Sequence, residues 1–218
     1  MINLDITEMA WGPDVSSYHP VKDWGALSTC GATFFAAKAT EGVHMVDQTF
    51  ARHSNGIRTI GPAFKMVVYY HFFHAEKSPE DQADNFASAV GELAKNERVC
   101  CDFEGKSYAA VDPWTIRTHG IEFLDRFYAV LEDRGLLANR GIIYTSAQHW
   151  RAIGNPAWSR SSSVDLWVPR YHSPDPKAPD VLPSPWPTWT VLQYTDGDQG
   201  IHREVPGIGL CDVNVVAT

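Results

Sequence analysis

Eight short apolar runs, spread along the chain and separated by amphipathic stretches, constrain this fold more than anything else in the sequence. They cover 11–16, 32–38, 65–72, 98–103, 141–145, 164–168, 189–194 and 210–214. Strand-like runs alternating with helical ones predict a parallel sheet with crossover helices. A chain of 218 residues is long enough to close such a sheet into one barrel.

Two of the intervening helices are well signalled. Ser78-Pro79-Glu80-Asp81 reads as an N-cap, a proline at the first helical position and an acidic first turn. Ala83, Phe86, Ala87, Val90, Leu93 and Ala94 then follow at helical spacing. Asp112-Pro113 opens the second helix, with Ile116, Gly120, Phe123, Leu124, Phe127, Val130 and Leu131 along one face and Gly135 as its stop. Shorter helices are expected at 22–30 and 47–60. Beyond residue 145 the helical signal fades, and 172–187 carries six prolines, which predicts a loop. The expectation is a lopsided barrel, with helices around the first half and loops around the second.

Composition removes several function classes. The net charge of −8, with basic residues scattered along the chain, does not suit phosphate-tracking nucleic-acid binding or docking on anionic membranes. No apolar run reaches the length of a membrane span, so membrane insertion is not expected. The four cysteines, Cys30, Cys100, Cys101 and Cys211, form no CxxC pair. Adjacent Cys100 and Cys101 point to opposite faces of a strand, so they do not share a metal. A Cys30–Cys211 disulfide is compatible with the sequence, but buried free thiols are the reading adopted, in keeping with cytoplasmic synthesis. The N-terminus lacks a basic region followed by an apolar stretch, so no signal peptide is read.

The chemistry is concentrated in acids. Asp102 and Glu104 end the fourth run, in Cys100-Cys101-Asp102-Phe103-Glu104-Gly105, and strand residues two apart share a face. Two carboxylates facing a core are costly unless paired or used. The plainer reading is an exposed acidic strand end closed by Gly105. Asp14 ends the first run and Asp212 lies in the eighth. First and eighth strands become neighbours when a barrel closes, so these two acids would lie side by side. Four acids at one rim repel each other and raise at least one pKa, which lets a carboxylic acid stay protonated near neutral pH.

Read along its length, the chain resembles glycoside hydrolase family 25, the Chalaropsis-type lysozymes. The resemblance rests on Asp14-Val15-Ser16-Ser17, Lys38-Ala39-Thr40-Glu41-Gly42, Tyr70-His71-Phe72, Asp102-Phe103-Glu104, Tyr144-Thr145, Trp167 with Tyr171, Gln193-Tyr194-Thr195 and Asp212-Val213-Asn214. It covers nearly the whole chain and implies one catalytic domain over 1–218. The implied fold is an irregular TIM-like (β/α)5(β)3 barrel. The implied activity is that of an N-acetylmuramidase, cutting the β-1,4 bond between N-acetylmuramic acid and N-acetylglucosamine in peptidoglycan glycan strands. Many such enzymes are phage endolysins or bacterial autolysins.

Carried over by motif, Glu104 is the general acid and later the base, and Asp102 is the second carboxylate. Asp14 and Asp212 shape the field around them. The resemblance implies net retention, by a covalent aspartyl sugar or by Asp102 assisting the 2-acetamido group as internal nucleophile; assistance is the preferred reading. Tyr70, Tyr144, Trp167 and Tyr171 sit near strand ends and are assigned to the sugar groove, although aromatics at such places also simply fill barrels. Gln193 is assigned an amide hydrogen bond near Asp212. His71 is read as a satisfied core histidine and Glu41 as a salt-bridge partner.

Pro13, Leu192 and Pro169-Arg170 depart from the family's usual pattern, so its subsite details are not carried over. No cofactor and no metal are expected, and a monomer is. The wall would be reached through a pore made by another protein or by a dedicated export machine. Two other readings remain open. One is a metal-dependent barrel hydrolase using the four acids as oxygen ligands. The other is a non-catalytic glycan-binding domain of a virion or wall assembly.

Overall fold

Every expected strand is present, and eight of them close into a barrel. The computed structural model describes residues 9–172, 177–201 and 203–217. In chain order the elements are β1 (Ala10–Val15), α1 (Trp24–Thr29), β2 (Phe34–Glu41), β3 (Met45–Val46), α2 (Phe50–Ile60) and β4 (Met66–Phe72). They continue with α3 (Pro79–Val90), β5 (Glu97–Asp102), α4 (Pro113–Asp133), β6 (Gly141–Tyr144) and α5 (Ala147–Ala152). The last are β7 (Val164–Pro169), β8 (Val191–Thr195), β9 (Glu204–Val205), β10 (Gly209–Leu210) and β11 (Asp212–Val216). The barrel order is β1–β2–β4–β5–β6–β7–β8–β11, and β11 pairs back onto β1.

One strand departs from the all-parallel expectation. β11 runs antiparallel to both β8 and β1. Among the described residues no helix intervenes after β8; the chain returns through the small β9–β10 pair, and a return without a crossover gives an antiparallel neighbour. Consequently Asp212, the first residue of β11, stands at the same rim as the last residues of the parallel strands.

Local chemistry explains the helices. The Ser78 hydroxyl accepts from the Asp81 N–H at 3.2 Å and Pro79 occupies the first position of α3. Asp112 accepts from the Trp114 and Thr115 N–H groups to start α4. α3 stops at Val90, earlier than its apolar stripe, because Gly91 takes a φ of 61° there. Gly135, at φ 73°, follows the end of α4 as expected. α5 was not legible from periodicity; its six residues depend on Ser146, whose hydroxyl caps the His149 N–H at 3.2 Å.

Period-two alternation separates two cores. Phe34, Ala36, Val68, Cys100, Ile142, Tyr144, Trp167 and Val191 pack inside the barrel, whereas Phe35, Ala37, Tyr69, Cys101 and Ile143 meet the surrounding helices and loops. Cys100 and Cys101 thus do face opposite ways, and all four cysteines are free thiols. Residues 173–176 of the proline-rich segment lie outside the described residues. Its later part covers the barrel in place of a helix: the Trp186 ring packs 4.9 Å from Trp150 and its Nε1 donates to the Val164 carbonyl at 2.8 Å.

The floor of the barrel is polar but matched. Arg98 on β5 pairs with Asp165 on β7 at 2.6 Å and also donates to the Arg140 and Gly141 carbonyls. With its hydrogen bonds satisfied, a buried guanidinium at this place is tolerable. The opposite end stays open.

Candidate active site

At the C-terminal ends of the parallel strands lies a cleft of about 540 Å³. All four predicted acids line it, as do Tyr70, Tyr144, Trp167, Tyr171 and Gln193. β1 and β11 set Asp14 directly opposite Asp212 in the antiparallel register. β5 presents Asp102 at its last residue, and Glu104 continues extended at φ −129°, ψ −173°, so the two acids keep the shared face that alternation predicts. Ser107 holds this corner. Its hydroxyl accepts from the Glu104 N–H at 3.1 Å and donates to the Asp102 carbonyl at 3.2 Å.

Gln193 on β8 is the hub. Its Nε2 donates to Asp14 Oδ2 and to Asp212 Oδ2, each at 3.2 Å. Its Oε1 accepts from the Tyr144 hydroxyl at 2.8 Å and the Tyr171 hydroxyl at 2.6 Å. Trp167 lies deeper, only 1 % exposed. Its Nε1 donates to Asn214 at 2.9 Å, and the Tyr70 and Tyr144 rings stand edge-on to it at 6.3 and 5.4 Å. It therefore forms the floor under the two tyrosines. Tyr70 also reaches Asp14 with its hydroxyl.

Burial raises the pKa of all four acids, and repulsion from neighbouring carboxyls raises Asp14, Asp102 and Asp212 further. Asp14 and Asp102 are pushed well above the ordinary carboxylate range, first by burial and next by Asp212 and by Glu104 respectively. Burial raises Glu104, with Lys106 and Lys38 pulling back. Asp212 is raised to about 7 by burial and then by Asp196 and Glu104. Asp102 Oδ1 is buried and has no hydrogen-bond partner among the described residues. Asp14 Oδ1 is in the same state, and protein structures leave few buried acceptors unpaired. Among the described residues no three His, Cys, Asp or Glu side chains are arranged to hold a metal ion.

His71 is fully buried between Thr40 Oγ1 at 2.7 Å and Gln82 Oε1 at 3.2 Å. It faces the outer core, away from the cleft. Glu41 pairs with Lys38 at 2.5 Å and with His74 Nε2 at 2.9 Å. Of the residues in or behind the cleft that escaped the sequence reading, Lys38, Ser107 and Tyr18 bear on the site. Lys38 was detectable, since Phe34, Ala36 and Lys38 alternate on the inner face of β2. Ser107 sits three residues after Glu104, the spacing of a turn cap. Tyr18, 83 % exposed at the cleft mouth, carries no signal beyond its type.

A closed α/β barrel whose rim gathers buried carboxyls of raised pKa beside aromatic rings is the architecture of a barrel glycoside hydrolase. The chain belongs to Glycosyl hydrolases family 25, whose family model matches residues 13–201. It is 27% identical over 197 residues to the N,O-diacetylmuramidase of Chalaropsis sp, covering 85% of this chain and 87% of that one. To lysozyme M1 of Streptomyces globisporus it is 27% identical over 188 residues, covering 84% of this chain and 61% of the relative. In three dimensions it is similar to the bacterial lysozyme from Streptomyces coelicolor, with a TM-score of 0.79, 27% identity and coverage of 97% and 94% of the two chains.

Proposed function

We propose that this protein is a retaining N-acetylmuramidase acting as a monomer on peptidoglycan glycan strands, with a role in breaking down the bacterial cell wall. The observation that carries the reading is the shared face of Asp102 and Glu104 at the open end of the barrel, where both line the cleft. The names of the relatives, a diacetylmuramidase and two lysozymes, support the choice of substrate.

In this mechanism Glu104 gives its proton to the glycosidic oxygen as the bond from the anomeric carbon of N-acetylmuramic acid breaks. The 2-acetamido oxygen of the same sugar attacks that carbon, and Asp102 accepts the acetamido N–H, stabilising the positive ring that forms. Glu104, now ionised, takes a proton from water as the water opens the ring, so configuration is retained. Asp102 Oδ1, buried and unpaired among the described residues, supports an acceptor role. Asp14 and Asp212, joined through Gln193, supply the surrounding negative field. Tyr70, Tyr144 and Tyr171 bound the sugar-sized hollow, with Trp167 beneath.

The test is to digest purified peptidoglycan with wild type and with Glu104→Gln, reduce the products with borohydride, and identify the new end sugar by mass spectrometry. Reduced muramic acid from wild type and a loss of at least about a hundredfold in Glu104→Gln are expected. Reduced glucosamine would mark a glucosaminidase. Binding without release of ends would mark a glycan-binding domain.

A further inference from the structure

The loop that leads from β1 into α1 carries Ser16, Tyr18 and His19 along the cleft. β1 ends at Val15 and α1 begins at Trp24, so no strand ladder holds this stretch. Its two ends are instead tied to the start of α2 by one chain of hydrogen bonds. The Ser17 N–H donates to Asp47 Oδ2 at 3.0 Å, and the Thr49 hydroxyl donates to Asp47 Oδ1 at 2.5 Å. Thr49 Oγ1 lies 3.3 Å from His53 Nδ1, and His53 Nε2 accepts from the Val21 N–H at 3.2 Å. The Val21 carbonyl accepts from the neighbouring Arg52 guanidinium.

The protons of this chain have one consistent arrangement. Because Nε2 accepts, neutral His53 carries its proton on Nδ1 and donates it to Thr49, whose own proton goes to Asp47. Burial lowers His53 to about 4, which keeps the ring neutral near pH 7. Burial pushes Asp47 up, but hydrogen bonds from Thr49 and Ser17 outweigh it and leave the carboxyl below its ordinary range. Thr49 directly precedes α2, yet its hydroxyl makes no cap bond to that helix; it is turned to the relay. His53 is fully buried against the Trp24 and Phe35 rings, with centroids 6.3 and 6.4 Å away. It is a fixed post. Between the two pinned points, Ser17 and Val21, stand only Tyr18, His19 and Pro20, and the Tyr18 ring is left 83 % exposed at the cleft mouth.

We infer that Asp47, Thr49 and His53 are positioning residues for substrate binding: they clamp the Ser17–Val21 loop so that the Tyr18 ring stands ready to stack on a sugar of the glycan strand. This rests on the glycan-cleaving function proposed above. An exposed ring on a free loop has to be ordered each time a sugar binds, and a backbone pinned on both sides removes that cost in advance. The relay touches none of the four acids, so its loss weakens binding and spares the chemical step.

The experiment compares wild type, Thr49→Val, His53→Phe and His53→Gln, each alone and combined with Tyr18→Ala. Thr49→Val removes one hydroxyl from a half-buried side chain, and His53→Phe keeps a buried ring but loses the acceptor for Val21. His53→Gln returns an acceptor at that place. Thr49→Val and His53→Phe are expected to raise KM for soluble peptidoglycan glycan fragments about two- to tenfold. The dissociation constant of the same fragments, read by calorimetry, rises equally. kcat stays within about twofold of wild type, and His53→Gln recovers most of the affinity. On the Tyr18→Ala background the same substitutions change affinity no further, because they act through that ring.

Unchanged affinity in both variants, effects that add in full to Tyr18→Ala, or a loss carried by kcat overturn the inference. Should His53→Phe fail to fold by circular dichroism, Thr49→Val decides alone. A wild type that binds the fragments but releases no sugar ends sinks the muramidase reading, and calorimetry still decides this one. A wild type that binds no fragment sinks both.

Discussion

Asp14 and Asp212 face each other across the antiparallel pair β1–β11, and the single amide of Gln193 donates 3.2 Å to an oxygen of each. Two carboxylates from opposite ends of the chain are thus tied by one neutral donor. The same side chain accepts from Tyr144 and Tyr171, so four groups of the cleft wall depend on it.

Gln193→Leu removes this hub without removing an acid. It leaves the Asp14, Asp212, Tyr144 and Tyr171 oxygens without this partner, at about 1–3 kcal/mol for each one that stays unsatisfied. A lower urea midpoint is expected, with activity down more than about tenfold as the tyrosines and acids lose register. Denaturation and peptidoglycan turnover measured on the same preparation check both parts.

Asp212 ties stability to pH. Its folded pKa, raised to about 7, lies above the unfolded value of about 3.9. Between these values the native state binds the proton more tightly, so the contribution is fully present below pH 4 and is lost as pH rises through 7. Asp212→Asn is expected to match wild type near pH 4 and to melt higher at pH 8. For a chain of this size each kcal/mol gained is worth about 2–4 °C. Thermal scans at the two pH values test this.

Asp165 is far from the cleft and carries the opposite expectation. Asp165→Ala leaves Arg98 charged and buried without its partner, at a cost of about 3–5 kcal/mol. Urea unfolding should show that loss. At 20 °C, about where folded populations are greatest, kcat of the folded protein should stay at the wild-type level.

Tyr18 presents its ring on a fixed backbone. The Ser17 N–H donates to Asp47 at 3.0 Å and the Tyr18 N–H to Ser16 Oγ at 3.2 Å, while the ring itself is exposed. A stacked sugar would gain about 0.5–1.5 kcal/mol there. Tyr18→Ala should raise KM about two- to tenfold with kcat unchanged, as read by initial rates on soluble glycan fragments.

Much of this was legible in the sequence, for a physical reason. Period-two alternation is enforced by the barrel wall, so Asp102 and Glu104, or Cys100 and Cys101, declare their faces from spacing alone. Caps are local chemistry, so Ser78 and Asp112 mark helix starts without any knowledge of the fold. What stayed hidden is non-local. The direction of β11 depends on how a 16-residue return from Asp196 to Cys211 folds over, and nothing in its composition states that. Gln193 as a bridge between Asp14 and Asp212, rather than a neighbour of one, needs three strands in register. Trp167 illustrates the same limit. Sequence places it near a strand end, but only packing reveals that Tyr70 and Tyr144 lie over it.

The reversed β11 also fixes where the protein can be held. Asp212 starts it at the mouth, and Val216, paired with Ala10 and Val191, finishes at the opposite pole. A tether, label or fusion partner joined beyond Val216 would leave from that pole and hold the molecule by its base. Immobilised that way on a bead, the enzyme would turn its mouth outward, free to meet an insoluble polymer.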